Sequence, residues 1–106
     1  MASSREYLDF ILDQLSDLTE ITFRQMMGEY IIYYCGKIVG GIYDDRFLVK
    51  PVKSAKEKMP DAVMEKPYPG AKEMILVSDI DDRDFLTELI PAIYDELYGV
   101  KKQAVK

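Results

Sequence analysis

Histidine and tryptophan are missing from this 106-residue chain, and cysteine occurs once, as Cys35. Without histidine the chain lacks the side chain most used for acid–base work near neutral pH, and the commonest metal ligand. Serine–histidine, cysteine–histidine and imidazole–zinc chemistry are closed to a single copy. A lone cysteine can form no internal disulfide, which points to a reducing compartment, the cytoplasm. No apolar run approaches the length of a membrane span, and "MASSREYLDF" lacks the basic start and apolar core of a signal peptide, so no membrane role is expected. Positive charge is also scarce: 14 Lys and Arg against 19 Asp and Glu leave a net charge of −5. That balance argues against strong direct DNA binding, because nonspecific affinity comes from cations on phosphates. A local basic patch stays compatible with it.

What is present is ordinary globular composition, 48% apolar and 31% charged. The length supports one domain, 1–106, with an ordered core over about 4–99 and a basic tail at 100–106. "SSRE" reads as a capping box, Ser3 at the cap and Glu6 reaching back, and opens an amphipathic helix over 4–18. Strand patterning follows from Thr22 to Lys50: a first strand at 22–27, a bulge or bend at Gly28, then "EYIIYY", "KIVGGIY" and "RFLVK". Two-residue turns fall at Cys35-Gly36 and Asp44-Asp45. A short helix interrupted at Pro60, the loop "PYPG", an apolar strand at 72–78 and a strong helix with the stripe Phe85 to Tyr98 complete the chain. A kink is expected at Pro91, and Gly99 is placed to cap this last helix. The expected fold is α+β: a mainly antiparallel meander with helices on one face, two layers, in the order α-β-β-β-β-α-β-α.

Pairing follows from the turns. With two-residue loops, Tyr33 faces Ile38, Ile31 faces Gly40, Ile42 faces Phe47, and Gly40 faces Val49. One face then holds Ile31, Tyr33, Ile38, Gly40, Ile42, Phe47 and Val49, and reads as the core. The other holds Tyr30, Ile32, Tyr34, Lys37, Val39, Gly41, Tyr43, Arg46, Leu48 and Lys50. The pair Gly40-Gly41 leaves one bare position on each face, either for a helix to pack closely and a saddle to form opposite, or as a bulge that coils the sheet. Tyr30, Tyr34, Lys37, Gly41, Tyr43, Arg46 and Lys50 form the candidate interaction face. Its tyrosines and cations suit a protein interface or base stacking, and equally a surface covered by the chain itself.

Two other features are weaker. "SDIDDRD" (78–84) mimics the start of a calcium loop, but Arg83 and the missing glycine break the pattern, so helix capping is the better reading. Cys35, near Lys37, has no histidine or second cysteine to assist it and reads as a turn residue. No cofactor, metal or catalytic constellation is indicated.

"RQMMGEYIIYYCGKIVGGIYDDRFLVK", with "KPYPGAKEMI" and "DIDDRDFLTEL", resembles the N-terminal domain of the TfoX/Sxy family of bacterial competence regulators. The matching positions are Arg24, Met26, Met27, Gly28, Tyr30, Gly36, Asp44 and Lys50, and the likeness spans most of residues 5 to 98. Met27 stands where an aromatic is usual, and Glu29 where a second glycine is common. The resemblance implies a stand-alone version of that domain, since the chain is too short for the further helical domain of the full-length regulators. It also implies a non-enzymatic role in transcription and competence regulation through a protein partner or a homodimer. The rival expectation is a small-ligand or nucleotide-binding module using the tyrosine-rich face.

Overall fold

In the computed structural model, residues 4–99 are described. Helix α1 (Arg5–Gln14) begins at Ser4, whose hydroxyl accepts from the Tyr7 N–H at 3.1 Å. The cap is thus one residue later than the capping box placed it, and Ser3 lies outside the described residues. The helix ends four residues early, replaced by turns through Leu18. Four strands follow in sequence: β1 (Ile21–Met26), β2 (Glu29–Tyr34), β3 (Lys37–Ile42) and β4 (Phe47–Val49). Then come α2 (Lys53–Lys58), the two-residue β5 (Met64–Glu65), β6 (Met74–Leu76) and α3 (Arg83–Tyr94). The sheet is antiparallel throughout, ordered β1-β2-β3-β4-β6-β5, with β5 the one strand not expected from the sequence.

Three tight hairpins build the meander. Met27, Cys35, Asp44 and Asp45 all take left-handed backbone, as do Gly28 and Gly36. Two successive left-handed residues are what a two-residue hairpin matched to the strand twist requires. Gly28 therefore closes a third hairpin and is not a bend inside one strand.

The Cys35-Gly36 hairpin starts as the sequence implied, pairing Tyr34 with Lys37 and Tyr33 with Ile38. The register then slips: Ile32 pairs with Gly40, Ile31 with Gly41 and Tyr30 with Ile42. Val39 is the extra residue of a bulge. One residue of slip moves every later side chain to the opposite face. Tyr30 and Ile32 consequently join Ile42, Phe47 and Val49 under the helices, while Ile31 goes to the helix-free side with Tyr33 and Ile38. Val39 itself is fully buried in the core.

That core is one cluster: Leu8, Ile11 and Leu15 at the first helix, Leu86, Leu89, Ile90 and Ile93 from α3, and Ala55 from α2, over Ile32, Val39, Ile42, Phe47, Val49 and Ile75. The stripe expected from Phe85 to Tyr98 is thus placed as its spacing implied as far as Leu97, whereas Tyr98 is exposed. Asp82 accepts from the Phe85 N–H at 3.1 Å and caps α3, and Asp84 lies in its first turn. The acidic run does cap a helix. Helix α3 continues through Pro91 to Tyr94 and then widens into a π turn, Asp95–Gly99, so Gly99 ends that turn. The tail 100–106 lies outside the described residues.

Candidate interaction face

The seven residues of the candidate face do not share a surface. Tyr30 is only 5% exposed, beneath the helices, with the Phe23 ring edge-on at 6.0 Å between centroids. Tyr34 also lies on the helix side, packed edge-on against Tyr94 at 5.4 Å. Lys37 sits with its ammonium 5.8 Å from the centre of the Tyr98 ring, whose hydroxyl donates to the Ile38 carbonyl at 3.0 Å. These aromatics fasten the end of α3 and its π turn to the β2–β3 hairpin. The cause is the bulge at Val39: the strands were aligned by their turns alone, and the slip carries Tyr30 across to the core face.

Gly41 and Tyr43 do lie on the helix-free face. A Cβ on Gly41 would meet Cε2, Cζ and Oη of Tyr43 at 2.7–2.8 Å, so the bare glycine is the seat on which that ring lies. Burial pushes the Tyr43 phenol above its ordinary value, with smaller contributions from Tyr68, Glu29 and Tyr33. Tyr68, from the Pro67–Gly70 loop, tilts against Tyr43 with centroids 6.3 Å apart. Beside them Leu48 is fully buried, paired across the ladder with Gly41, so this face is partly covered by the chain itself.

Arg46 is held between three acceptors. It donates to the Tyr43 carbonyl at 3.0 Å, to the Lys66 carbonyl at 3.4 Å, and pairs with Glu65. Its role is to tie the β3–β4 turn to β5 rather than to present a free cation. Lys50 directly follows β4, its backbone N–H bonded to the Val39 carbonyl at 3.1 Å.

Around Tyr43 the sheet forms a concavity of about 450 Å³ lined by Met26, Met27, Glu29, Ile31, Tyr43 and Tyr68. Met27, at the β1–β2 tip, is 95% exposed, Tyr68 59% and Met26 50%. The Asp44 N–H donates to Glu29 at 3.0 Å, which ties the hairpin base to the next turn. Sequence reasoning missed Met26, Met27 and Tyr68 as surface groups. For Met27 a signal existed: an apolar residue at the tip of a two-residue turn, where no core is within reach. Cys35 is exposed at its own tip. Among the described residues no three acidic, cysteine or histidine side chains converge as a metal site would need, and no helix is long and apolar enough to cross a membrane.

The sequence profile of the TfoX N-terminal domain matches residues 13–89, from the end of α1 through most of α3. The chain belongs to the TfoX N-terminal domain family. The match therefore covers all six strands and both faces of the TfoX-type sheet. An "uncharacterized 12.7 kDa protein in trpE 5′ region" of Spirochaeta aurantia is 34% identical over 80 residues, covering 76% of this chain and 70% of the relative. That small protein is thus similar over most of its length. No solved structure matches the chain.

Proposed function

We propose that this TfoX-type domain is a non-enzymatic cytoplasmic module that binds a protein partner in transcription and competence regulation, through the helix-free face at Tyr43. One observation carries the reading: Met26, Met27, Ile31 and Tyr68 stand exposed or half-buried around the seated Tyr43 ring. Exposed, contiguous apolar groups are costly to leave in water and mark interaction sites. Methionines repack around a partner, and tyrosines bring large area at low entropy cost. Glu29, Asp44, Arg46 and Lys66 line the neighbouring cleft, giving the apolar centre a polar rim as interfaces have. The concavity's one carboxylate, Glu29, already accepts from Asp44, and no nucleophile–base pair lines it.

A second reading draws on the same concavity. Its volume lies in the range of small-molecule sites, and the exposed Tyr68 ring beside it offers a stacking surface for a planar ligand such as a nucleobase.

The test compares Met27→Glu and Tyr68→Asp with Phe10→Asp, a change at an exposed phenylalanine of α1. Immobilised parent and variants are challenged with cell extract, and a partner held by the parent is then titrated against each. The reading expects the two face variants to lose that partner while the α1 variant keeps it. A partner held equally by all three would overturn it.

A further inference from the structure

The sheet has two edges, and they are treated differently. At one, β5 is two residues long, which blunts it. At the other, β1 runs six residues, Ile21–Met26, in unbroken register with β2, and carries no proline, lysine or bulge. Among the described residues nothing pairs with its outer side.

The hairpin geometry says which groups point outward. In a two-residue hairpin the flanking residues, Met26 and Glu29, exchange both backbone bonds, and alternate pairs beyond them repeat this. The Cys35 N–H to Glu20 carbonyl bond at 3.0 Å fits that phase. Thr22, Arg24 and Met26 therefore bond β2, whereas the N–H and C=O groups of Ile21, Phe23 and Gln25 face away from the sheet.

We propose that β1 is the pairing edge of a homodimer, with a second copy adding its own β1 antiparallel across a two-fold axis at Phe23. In that register Ile21 meets Gln25 of the second copy, Phe23 meets Phe23, and Gln25 meets Ile21. Each is a pair that exchanges two bonds, so every outward donor and acceptor of the three residues is satisfied. Arg24, the only charged residue of β1, lies opposite Thr22 of the second copy and diagonal to both Glu20 and Arg24 of that copy. Charge therefore neither drives nor forbids the pairing, which rests on the backbone bonds and on Phe23. On the helix side Phe23 is 37% exposed, with the Arg5 guanidinium 5.5 Å from its ring centre. It borders a groove of about 410 Å³ lined mainly by Leu12, Leu15, Leu18 and Ile21, which continues the core out to the edge. In that register the second copy's Phe23 and the apolar stem of its Gln25 lie over the groove. This inference does not depend on the Tyr43 face.

The test is the mass of the full chain by light scattering at its highest soluble concentration. Gln25→Pro removes an outward N–H only, leaving the β1–β2 ladder whole, and Arg24 before it is already extended. Phe23→Lys sets two cations face to face at the axis. The parent should have twice the 12.2 kDa chain mass, and both variants the single mass with unchanged circular dichroism. Hydrogen exchange on the parent is read beside this. The Ile21, Phe23 and Gln25 amides should become protected as concentration rises. A parent of single mass, folded variants that stay dimeric, or those three amides remaining unprotected in the dimer would overturn the proposal.

Discussion

Replacing the adjacent glycines of β3 one at a time tests the arrangement of the two faces. A Cβ on Gly40 would sit against the backbone of β4: it would overlap the Leu48 carbonyl oxygen and stand 3.0 Å from Val49 Cα and 3.2 Å from Val49 Cγ1. Backbone cannot swing aside, so the strands must part beside the bulge. Overpacking of that kind costs about 1–3 kcal/mol. Neither glycine has a positive φ, so alanine also gains about 0.4–1 kcal/mol by restricting the unfolded chain. Gly40→Ala should therefore be destabilised by roughly 1–2 kcal/mol net, a fall in Tm of about 5–15 °C for a domain of this size. On Gly41 the same methyl meets only the far end of the Tyr43 side chain, which can rotate off. Gly41→Ala should stay within about 1 kcal/mol of the parent. Its Tyr43 phenol, now in water, should titrate lower than in the parent, because burial is the main cause that raises it. Thermal melts give the first quantity, and carbon NMR of labelled tyrosine gives the second. Equal losses of stability, or an unmoved Tyr43 titration, would refute the reasoning.

Glu96 accepts from the Lys53 and Ser54 N–H groups at 3.0 and 2.8 Å and from the Ser54 hydroxyl at 2.7 Å, capping α2 from the π turn. Its carboxyl is lowered chiefly by Ser54, so the stabilisation is present above the ordinary 4.5 and fades as pH falls below it. Glu96→Ala should melt below the parent at pH 7, and the gap should narrow as pH falls below 4.5; a gap that does not shrink in acid would refute this. Millimolar calcium or magnesium should leave Tm unchanged, since Asp82 is already engaged as a cap; a large saturable rise would mean a cation site. Titration with duplex DNA near physiological salt should show no tight binding, given the net charge of −5, and submicromolar affinity with a steep salt slope would contradict it.

Much of the fold was legible because local chemistry fixes it. Turn residues placed two hairpins correctly, and the spacing of Leu86, Leu89, Ile90 and Ile93 placed the face of α3. The face of β2 was not legible. Turns at Cys35-Gly36 and Asp44-Asp45 define the register near themselves, but Val39 is extra between them, and nothing local distinguishes a bulged valine from a paired one. Tyr30 and Ile31 therefore exchanged sides, and with them three of the seven candidate residues. Of the candidate site, Gly41 and Tyr43 kept their place because both lie beyond the bulge, where the Asp44-Asp45 turn governs. Tyr68 could not be placed from pattern, because its exposure depends on where a proline loop ends in space. Glu96 on α2 joins residues more than forty apart, beyond any local signal.

The measurement that most directly tests the interaction face is the dissociation constant of the captured partner for Tyr68→Asp and Phe10→Asp, measured beside the parent. Tyr68 stands over the seated Tyr43 ring, and Phe10 lies on α1, away from that concavity. Losing one well-packed aromatic contact should weaken binding at least about tenfold, or 1.4 kcal/mol, for Tyr68→Asp and leave Phe10→Asp at the parent value. Parent-like affinity for Tyr68→Asp with a loss at Phe10→Asp would put the interface on the helices and contradict the account.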